Sequence, residues 1–320
     1  MGGTTFFFDW EVRLIEWIQN AMPFFCNKAS QIFSFFGEQL LLVGIIGFLY
    51  LCYDKKLGRY VGTGILTAII WNPLIKNAFL RSRPYMDHAS IKCLRPVDSS
   101  ADIYDISAQG YSFPSGHSSS ALSAYGSIAA YSRKRLFIIL AVILPLLVGI
   151  SRFAVGVHYP TDVICGWLLG LFVVSATGLM QRKIKNPAIT YLILALTGVP
   201  GWFYCRSTDF YTSYGLMIGV FAGFLFEARF VNFENTRSVG RCILRLGAGL
   251  GLYLALNAAL KLPFSAEFLE APTMAAFTVR AIRYAIVSFV CIGLYPMLFK
   301  HTAKIGKNNF RLLQALLKKR

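Results

Sequence analysis

Residues 151–162 carry an arginine, a histidine and an aspartate at the start of an apolar segment. Proline is tolerated in the first turn of a helix, so Pro160 predicts a helix start, with Asp162 in that turn and His158 in the loop before it. A carboxylate that accepts the proton of one imidazole nitrogen fixes the tautomer and leaves the other nitrogen free to attack phosphorus. Arg152 carries a planar fork of five donors that suits phosphate oxygens. The spacing therefore predicts the nucleophile loop of a phosphatase.

A second polar stretch ends where a span rich in small residues begins, at Pro114-Ser115-Gly116-His117. Pro114 again predicts the first position of a helix, which leaves the N–H groups of the next three residues without intrahelical partners. A helix N-terminus of this kind binds anions, and glycine lets a phosphate oxygen approach the backbone closely. We therefore expect this stretch to form an anion site.

Two further cations stand at the end of an earlier apolar segment. Lys76 and Arg83 are separated by about two helical turns, so they project on one side if the helix runs as far as Pro84. Lys76 on its own would be explained as an interfacial anchor. Its spacing from Arg83-Pro84 favours a shared role in binding an anion.

Taken in order, these stretches resemble the three signature motifs of the type 2 phosphatidic acid phosphatase superfamily. That family includes lipid phosphatases, polyprenyl diphosphate phosphatases, glucose-6-phosphatase and soluble vanadium haloperoxidases. The resemblance covers about residues 31–180, and every motif position is filled. The motifs are Lys76-x6-Arg83-Pro84, Pro114-Ser115-Gly116-His117 and Ser151-Arg152-x5-His158-x3-Asp162.

The resemblance implies a role for each residue. His158 would take the phosphoryl group as nucleophile, with Asp162 orienting its imidazole. His117 would protonate the departing oxygen and then activate the water that hydrolyses the phosphohistidine. The phosphoryl oxygens would be held by Lys76, Arg83, Ser115, Gly116 and Arg152. Three cations in place of a metal, with no cluster of metal-ligating residues, predict a metal-independent reaction without a cofactor.

Each of these residues also has an ordinary structural explanation. Asp162 could be an acidic residue at a helix N-terminus, Ser115 a capping residue and Arg152 an interfacial anchor. Any single histidine is more often structural than catalytic. The combination favours catalysis, because the motif histidines His117 and His158 stand beside cations, where a structural histidine is disfavoured.

The composition is typical of a polytopic membrane protein. Hydrophobic residues make up 56% of the chain, charged residues make up 15%, and the mean hydropathy is +0.54. These values do not fit a soluble domain. We therefore predict an all-α membrane bundle of about nine spans, each close to the ~20 residues that a bilayer core requires. The predicted spans are residues 31–52, 59–79, 115–131, 136–150, 162–180, 188–204, 211–227, 241–261 and 280–299.

The first part of the chain is expected to lie on the membrane. Residues 6–25 alternate apolar and charged positions with helical spacing, which predicts an interfacial helix, while a broken first span is the alternative. The predicted parts are the interfacial helix at 1–30, a phosphatase-type core at 31–187 with catalytic loops 80–117 and 151–162, additional transmembrane helices of unknown role at 188–299, and a basic cytoplasmic tail at 300–320.

The net charge of +17 follows the loops and is not gathered on one soluble face, so nucleic acid is not the expected partner. If the loop after the first span is cytoplasmic, most Lys and Arg residues lie on that side, as the positive-inside rule requires. The catalytic loops then face away from the cytoplasm. No cleavable signal peptide is visible, which fits a bacterial inner membrane, although an endoplasmic reticulum protein with a lumenal site would have the same pattern.

The seven cysteines lack metal-binding spacing. Cys93 and Cys205 fall on the predicted outer side, where a disulfide is chemically possible, but free thiols are the favoured interpretation.

The expected substrate is a lipid phosphate or diphosphate, with phosphatidic acid and polyprenyl or undecaprenyl diphosphate as the leading candidates. A lipid phosphotransferase would use the same residues, and a lipid transporter or scaffold with a phosphate-binding pocket is a further alternative. The oligomeric state is left open.

Overall fold

The computed structural model describes residues 3–299, and this part of the chain contains helices and no strand. The predicted tail at 300–320 lies outside the described residues. The helices of more than ten residues are α1 (Asp9–Ala21), α2 (Phe25–Tyr53), α3 (Lys55–Phe79), α4 (Gly116–Ser132), α5 (Arg135–Ala154), α6 (Pro160–Lys183), α7 (Pro187–Tyr204), α8 (Thr208–Val231), α9 (Val239–Ala259) and α10 (Met274–Met297). The predicted all-α architecture is therefore confirmed.

Seven of these helices, α2 and α5 to α10, are long and apolar enough to cross a membrane. The predicted count of nine spans is not confirmed. The segments 59–79 and 115–131 lie in α3 and α4, which are not among the seven. Helix α3 carries polar residues such as Asn72 and Lys76 along its length, and α4 has only 17 residues.

Close packing of α4 on α6 brings two of the motif stretches together. A Cβ atom on Gly166 of α6 would lie 2.7 Å from the carbonyl oxygen of Ser115. One turn along, a Cβ atom on Gly170 would lie 2.8 Å from the carbonyl oxygen of Ser119. Small residues therefore let the two backbones approach, as is common between membrane helices. The N–H of Ser115 also donates to the carbonyl oxygen of Asp162 at 2.9 Å.

Helix α3 ends at Phe79, the last residue of the predicted span 59–79. The helix does not run on to Pro84, which was the condition for Lys76 and Arg83 to share a helical face, because Leu80 adopts a left-handed conformation with φ of 56°. The N–H of Leu80 caps the helix by donating to the carbonyl oxygen of Lys76. The chain then pairs with Thr4, which donates to Leu80 and accepts from Ser82. Arg83 consequently has extended backbone and does not continue the helical face.

Helix α1 is amphipathic, as predicted, but one of its faces is covered by protein. Glu11, Ile15 and Ile18 are buried on that face. The two isoleucines belong to an apolar cluster that includes Phe153 and Tyr159 of the nucleophile loop region. The exposed face carries tryptophans, so the location of α1 in a membrane interface stays a prediction. The helix covers the loops that carry the motifs.

A buried carboxylate joins the first and second halves of the bundle at the end away from the motif-bearing loops. Glu227 of α8 is fully buried and pairs with Arg59 and with Lys55, whose Nζ lies 3.1 Å from Oε1. Lys55 also donates to the carbonyl oxygen of Phe233 at 2.7 Å. Because a buried charge without a partner is costly, this ion pair network fixes α8 against the start of α3.

The contact between α4 and α6 can be tested by stability. In Gly166→Val, the new side chain would meet the Ser115 backbone, which cannot move without breaking its hydrogen bond to Asp162. We expect a loss of about 1–3 kcal/mol, typical of overpacking, seen as a lower thermal midpoint in detergent. The matched control is Gly247→Val, because no atom lies within 4 Å of a Cβ at that position. Equal midpoints in the two variants would contradict the close packing.

Candidate active site

A cavity of about 1180 Å³ lies at the end of the bundle where the two motif-bearing loops meet. The structure places six of the eight predicted site residues in its lining: Lys76, Arg83, Gly116, His117, Arg152 and His158. Ser115 and Asp162 lie behind the lining and are completely buried. The structure therefore brings together residues from all three motifs.

The predicted helix start after His158 is confirmed, whereas the predicted hydrogen bond between His158 and Asp162 is absent among the described residues. Pro160 is the first residue of α6, Asp162 lies in its first turn and His158 precedes it. The Nδ1 atom of His158 lies 3.4 Å from Oδ2 of Asp162. Nδ1 makes no hydrogen bond to Asp162 or to any other described residue. The carboxylate nevertheless faces Nδ1, which leaves Nε2 as the atom available for attack.

The carboxylate of Asp162 is held by two donors. The N–H of Tyr159 donates to Oδ2 at 2.8 Å, and Nη1 of Arg81 donates to Oδ1 at 2.5 Å. Arg81 is 1% exposed and also pairs with Glu11 of α1, with 3.0 Å between Nη2 and Oε2. Neither Arg81 nor Glu11 was identified from the sequence as part of the site.

The nucleophile loop turns sharply at Gly156, where φ is +80° and a side chain would be strained. A Cβ atom there would lie 2.3 Å from the carbonyl oxygen of Lys92. The preceding residue, Val155, accepts a hydrogen bond from the N–H of Leu94 at 3.0 Å. The long loop between α3 and α4 is thus fixed against the backbone that leads into His158.

Arg83 supports the same backbone while keeping part of its guanidinium free. Its Nη1 donates to the carbonyl oxygen of Val157 at 2.9 Å, and Nε and Nη2 donate to the carbonyl oxygen of Gln109. Of its five N–H bonds, these contacts leave two for a phosphate oxygen. Arg83 therefore both positions the residue before His158 and presents positive charge to the cavity.

The other two cations differ in how they are held. Nη1 of Arg152 donates to Oγ of Ser34 at 3.1 Å, while its Nε is buried without a hydrogen-bond partner in the described part of the chain. The side chain of Lys76 has no hydrogen bond or ion pair with any of residues 3–299. Arg152 is buried and Lys76 is partly buried in the cavity wall, so both side chains suit a ligand with several negatively charged oxygens.

The second histidine also faces a carboxylate that the sequence did not indicate. Nε2 of His117 lies 3.4 Å from Oε1 of Glu38, without hydrogen-bond alignment. The same oxygen accepts from Nη2 of Arg95 at 2.5 Å. Glu38 stands where α2 is interrupted, directly before its second helical part, Gln39–Phe48. Burial, followed by the positive charge of Arg152, lowers the pKa of His117 to about 4, and the carboxylate of Glu38 opposes this shift.

The start of α4 differs from the expectation. Pro114 is not the first helical residue, because the helix begins at Gly116 and Ser115 is its N-cap. The Oγ atom of Ser115 accepts from the N–H of Ser118, which is the capping role weighed for it above. Gly116 and His117 are the first two helical residues, so their N–H groups have no intrahelical partners. The predicted anion site is therefore shorter by one N–H, while the phosphate contact of Ser115 stays a prediction.

A weak sequence signal existed for the residues that were missed. Glu11 and Glu38 are carboxylates inside or beside apolar segments, where charge usually has a function. Arg81 stands two residues before Arg83 in a loop rich in charge. Nothing in the sequence indicated which partner each of them would meet, because those partners are 57 to 150 residues away.

Electrostatics keep the imidazole of His158 uncharged. Burial, followed by the positive charges of Arg83, Lys76 and Arg152, lowers the pKa of His158 well below its ordinary value of 6.5. The imidazole is therefore neutral at neutral pH and keeps the lone pair that a nucleophile needs.

Within residues 3–299, no group of three or more His, Cys, Asp or Glu side chains could hold a metal ion. Cys93 and Cys205 are both free thiols.

Comparison with known protein families gives two matches. Residues 57–185 match the family model described as the PAP2 superfamily. Residues 211–307 match a second model, described as the transmembrane extension of PAP2 superfamily phosphatases. The first match contains all the motif residues, and the second covers most of the helices that follow the core. No solved structure gives a significant match.

Several characterised proteins are similar to this chain. Phosphatidylglycerophosphatase B of Bacillus subtilis is 39% identical over 85 residues, which are 24% of this chain and 42% of that protein. An undecaprenyl-diphosphatase of Sulfolobus acidocaldarius is 28% identical over 46% of this chain and 66% of its own length. Decaprenylphosphoryl-5-phosphoribose phosphatase of Mycobacterium tuberculosis is 32% identical over 48% of this chain and 81% of its own length. The chain thus spans less than two thirds of the first two relatives.

The electrostatic state of His158 can be measured directly. Histidine NMR titration in detergent should show His158 neutral at pH 6.5 and protonated only as the pH falls further, with His158→Gln used for assignment. Lys76→Met removes a neighbouring positive charge, so the pKa of His158 should rise toward 6.5. Lys56→Met, at the opposite end of α3, should leave the titration unchanged. A His158 signal with an ordinary midpoint in the unmodified protein would refute the assignment.

Proposed function

The chain belongs to the PAP2 superfamily, and from this we propose that it is an integral membrane phosphatase that removes the terminal phosphate of a lipid phosphate or lipid diphosphate. The observation that carries the proposal is the cavity lined by His158, His117 and three cations. A site that only binds phosphate needs cations but has no use for a carboxylate-oriented histidine. The same observation weighs against a transporter or scaffold as the main role.

The proposed reaction uses His158 as nucleophile. Its Nε2 attacks phosphorus, the bond from phosphorus to the leaving oxygen breaks, and His117 gives that oxygen a proton. Asp162 stabilises the positive charge that develops on the imidazole of His158. His117 then takes a proton from water as the water attacks the phosphohistidine, which releases inorganic phosphate and restores both histidines. Lys76, Arg83, Arg152 and the N–H of Gly116 stabilise the equatorial oxygens.

The membrane setting supports a lipid substrate. The cavity lies at the ends of apolar helices, where the headgroup of a lipid would be found, and its lining includes aromatic side chains beside the charged ones, such as Tyr204 and Phe277. The relatives named above include a phosphatidylglycerophosphatase and phosphatases or diphosphatases of polyprenyl lipids. These names favour a phosphatidylglycerol phosphate or polyprenyl diphosphate type of substrate alongside phosphatidic acid.

The proposed location is a bacterial inner membrane, with the cavity facing the extracytoplasmic side. The distribution of Lys and Arg supports this orientation, because the loops at the opposite end of the bundle carry most of the positive charge. Lys55, Arg59 and the turn at residues 133–135 lie at that end. An active site on the outer face would meet lipid phosphates after they have crossed the membrane.

Phosphate release tests the function. Protein purified in detergent, with EDTA present, should release phosphate from at least one of phosphatidic acid, undecaprenyl diphosphate, phosphatidylglycerol phosphate, sphingosine phosphate and glucose 6-phosphate. His158→Ala should lower kcat by at least about 10³-fold, because no other group can replace the nucleophile. His301→Ala, a histidine of the predicted cytoplasmic tail, is the matched control. Unchanged turnover in His158→Ala would overturn the mechanism.

The same assay separates the alternatives. Release only from glucose 6-phosphate would replace the lipid class by a soluble sugar phosphate. A radioactive phosphoryl group that remains on His158 until a lipid alcohol is added would indicate a phosphotransferase. If the protein neither releases phosphate nor becomes labelled, but still binds lipid phosphate, the result would favour a lipid transporter or scaffold and contradict the proposal of an enzyme.

The orientation is tested by labelling. Ser99→Cys places a thiol on the exposed part of the loop between α3 and α4, and Lys134→Cys places one on the exposed turn between α4 and α5. A membrane-impermeant maleimide added to intact cells should label the first variant above the background of the unmodified protein, but not the second. The reverse pattern would show that the cavity faces the cytoplasm.

A further inference from the structure

Arg81 is a completely buried cation whose three nitrogens are all engaged. Its Nη1 donates to Oδ1 of Asp162 at 2.5 Å and to Oγ1 of Thr161 at 2.8 Å. Its Nη2 donates to Oε2 of Glu11 at 3.0 Å, and its Nε donates to the carbonyl oxygen of Phe6 at 2.8 Å. Arg81 therefore links the carboxylate behind the nucleophile to the N-terminal segment of the chain.

Glu11 approaches the same place from α1 and is itself completely buried. Its Oε1 accepts from the N–H of Thr161 at 2.9 Å and from the hydroxyl of Thr161 at 2.6 Å. Thr161 is the second residue of α6, so its N–H has no partner inside the helix. Glu11 supplies that partner, and its negative charge lies at the positive end of the helix. A residue 150 positions away thus completes the start of α6.

Aromatic rings seal this contact from water. The guanidinium carbon of Arg81 lies 4.0 Å from the ring centroid of Tyr159 and 4.5 Å from that of Phe6. Both rings lie within the range of a cation–π interaction. In such a dry environment, charges interact more strongly than they do in water. The balance of charge around Asp162 therefore matters for the histidine in front of it.

The charges at this contact do not cancel. Glu11 and Asp162 are two carboxylates that share one guanidinium, so the three groups together carry one net negative charge. If Glu11 were uncharged, Arg81 and Asp162 would form a neutral pair. That pair would stabilise a positive imidazole less well. With Glu11 charged, a net negative charge remains behind His158, where an imidazolium forms during phosphoryl transfer.

We propose that Glu11 is a positioning residue of the active site, which acts through Arg81 to orient Asp162 and to keep a net negative charge behind His158. The proposal deepens the phosphatase function above and rests on it. It gives the N-terminal helix a part in the chemistry in addition to any contact with the membrane. Glu11 does not line the cavity, so its effect falls on the chemical step and not on substrate binding.

The test replaces the charge of Glu11 while keeping its shape. Glu11→Gln retains an oxygen for the N–H of Thr161, and we expect kcat for phosphate release to fall about 10- to 100-fold, as for other residues that orient a catalytic group. KM should stay within about twofold of the unmodified value, and the rate of phosphohistidine formation should fall with kcat. Glu16→Gln, on the same helix but without a hydrogen-bond partner in the described residues, is the matched control.

A second readout does not depend on turnover. Removing a negative charge disfavours the protonated imidazole, so the pKa of His158 should fall further in Glu11→Gln when followed by histidine NMR. Glu16→Gln should not move it. This measurement remains informative if the unmodified protein releases no phosphate, which would be a failure of the proposed function alone. The neighbouring charged groups that face His158, namely Lys76, Arg83, Arg152, His117 and Asp162, are unchanged in both variants.

A purely structural role gives a different result. Kinetics and NMR titration of Glu11→Gln that match the unmodified protein, or a loss of kcat that equals the loss of folded protein, would overturn the proposal. If Glu11→Gln does not fold, Glu11→Asp is used, since it keeps the charge with a shorter reach. Because Glu11→Asp keeps the negative charge, we expect the pKa of His158 not to fall as it does in Glu11→Gln, and kcat to fall less than in that variant. A folded Glu11→Asp protein with a pKa of His158 as low as that expected for the glutamine variant would contradict the charge argument.

Discussion

The buried carboxylate of Asp162 is the group on which the arrangement of the site depends. Its side chain accepts from Arg81 and from the N–H of Tyr159, and its backbone oxygen accepts from Ser115. One residue therefore joins the nucleophile loop, the start of α4 and the loop after α3. Because a buried carboxylate is costly without such donors, the surrounding structure and the orientation of His158 are stabilised together.

The positive charge in the cavity is also fixed by the surrounding structure. Arg83 is held by backbone carbonyls and Arg152 by Ser34, so both guanidinium groups are fixed before a substrate arrives. Such preorganised charge is what phosphoryl transfer requires, because the reaction develops negative charge on oxygens at defined positions. The same charge also lowers the pKa of His158, so the cations of the cavity and His158 are electrostatically coupled.

The helices beyond the core contribute to the cavity as well as to the bundle. Side chains of Tyr204, Asp209 and Phe277, all from the second half of the chain, are part of the cavity lining. The buried ion pairs of Glu227 fix that half to the start of α3 at the other end of the bundle. The helices after the core therefore give it a wall that the motifs themselves do not provide. Ser213, Glu270 and Phe277 of this wall lie in the region that matches the transmembrane extension.

The sequence by itself determined the features that depend on neighbours along the chain. The membrane bundle follows from hydropathy, and the relation of His158 to Asp162 follows from a proline that starts a helix. Tertiary structure alone decided which charges meet. It also decided how the chain continues after α3, where pairing with Thr4 replaces further helix. The contacts of Arg81 with Glu11 and Asp162 join residues 70 and 81 positions apart. Such contacts leave no periodic signal in a sequence, because they are selected by packing and by the need to pair buried charge.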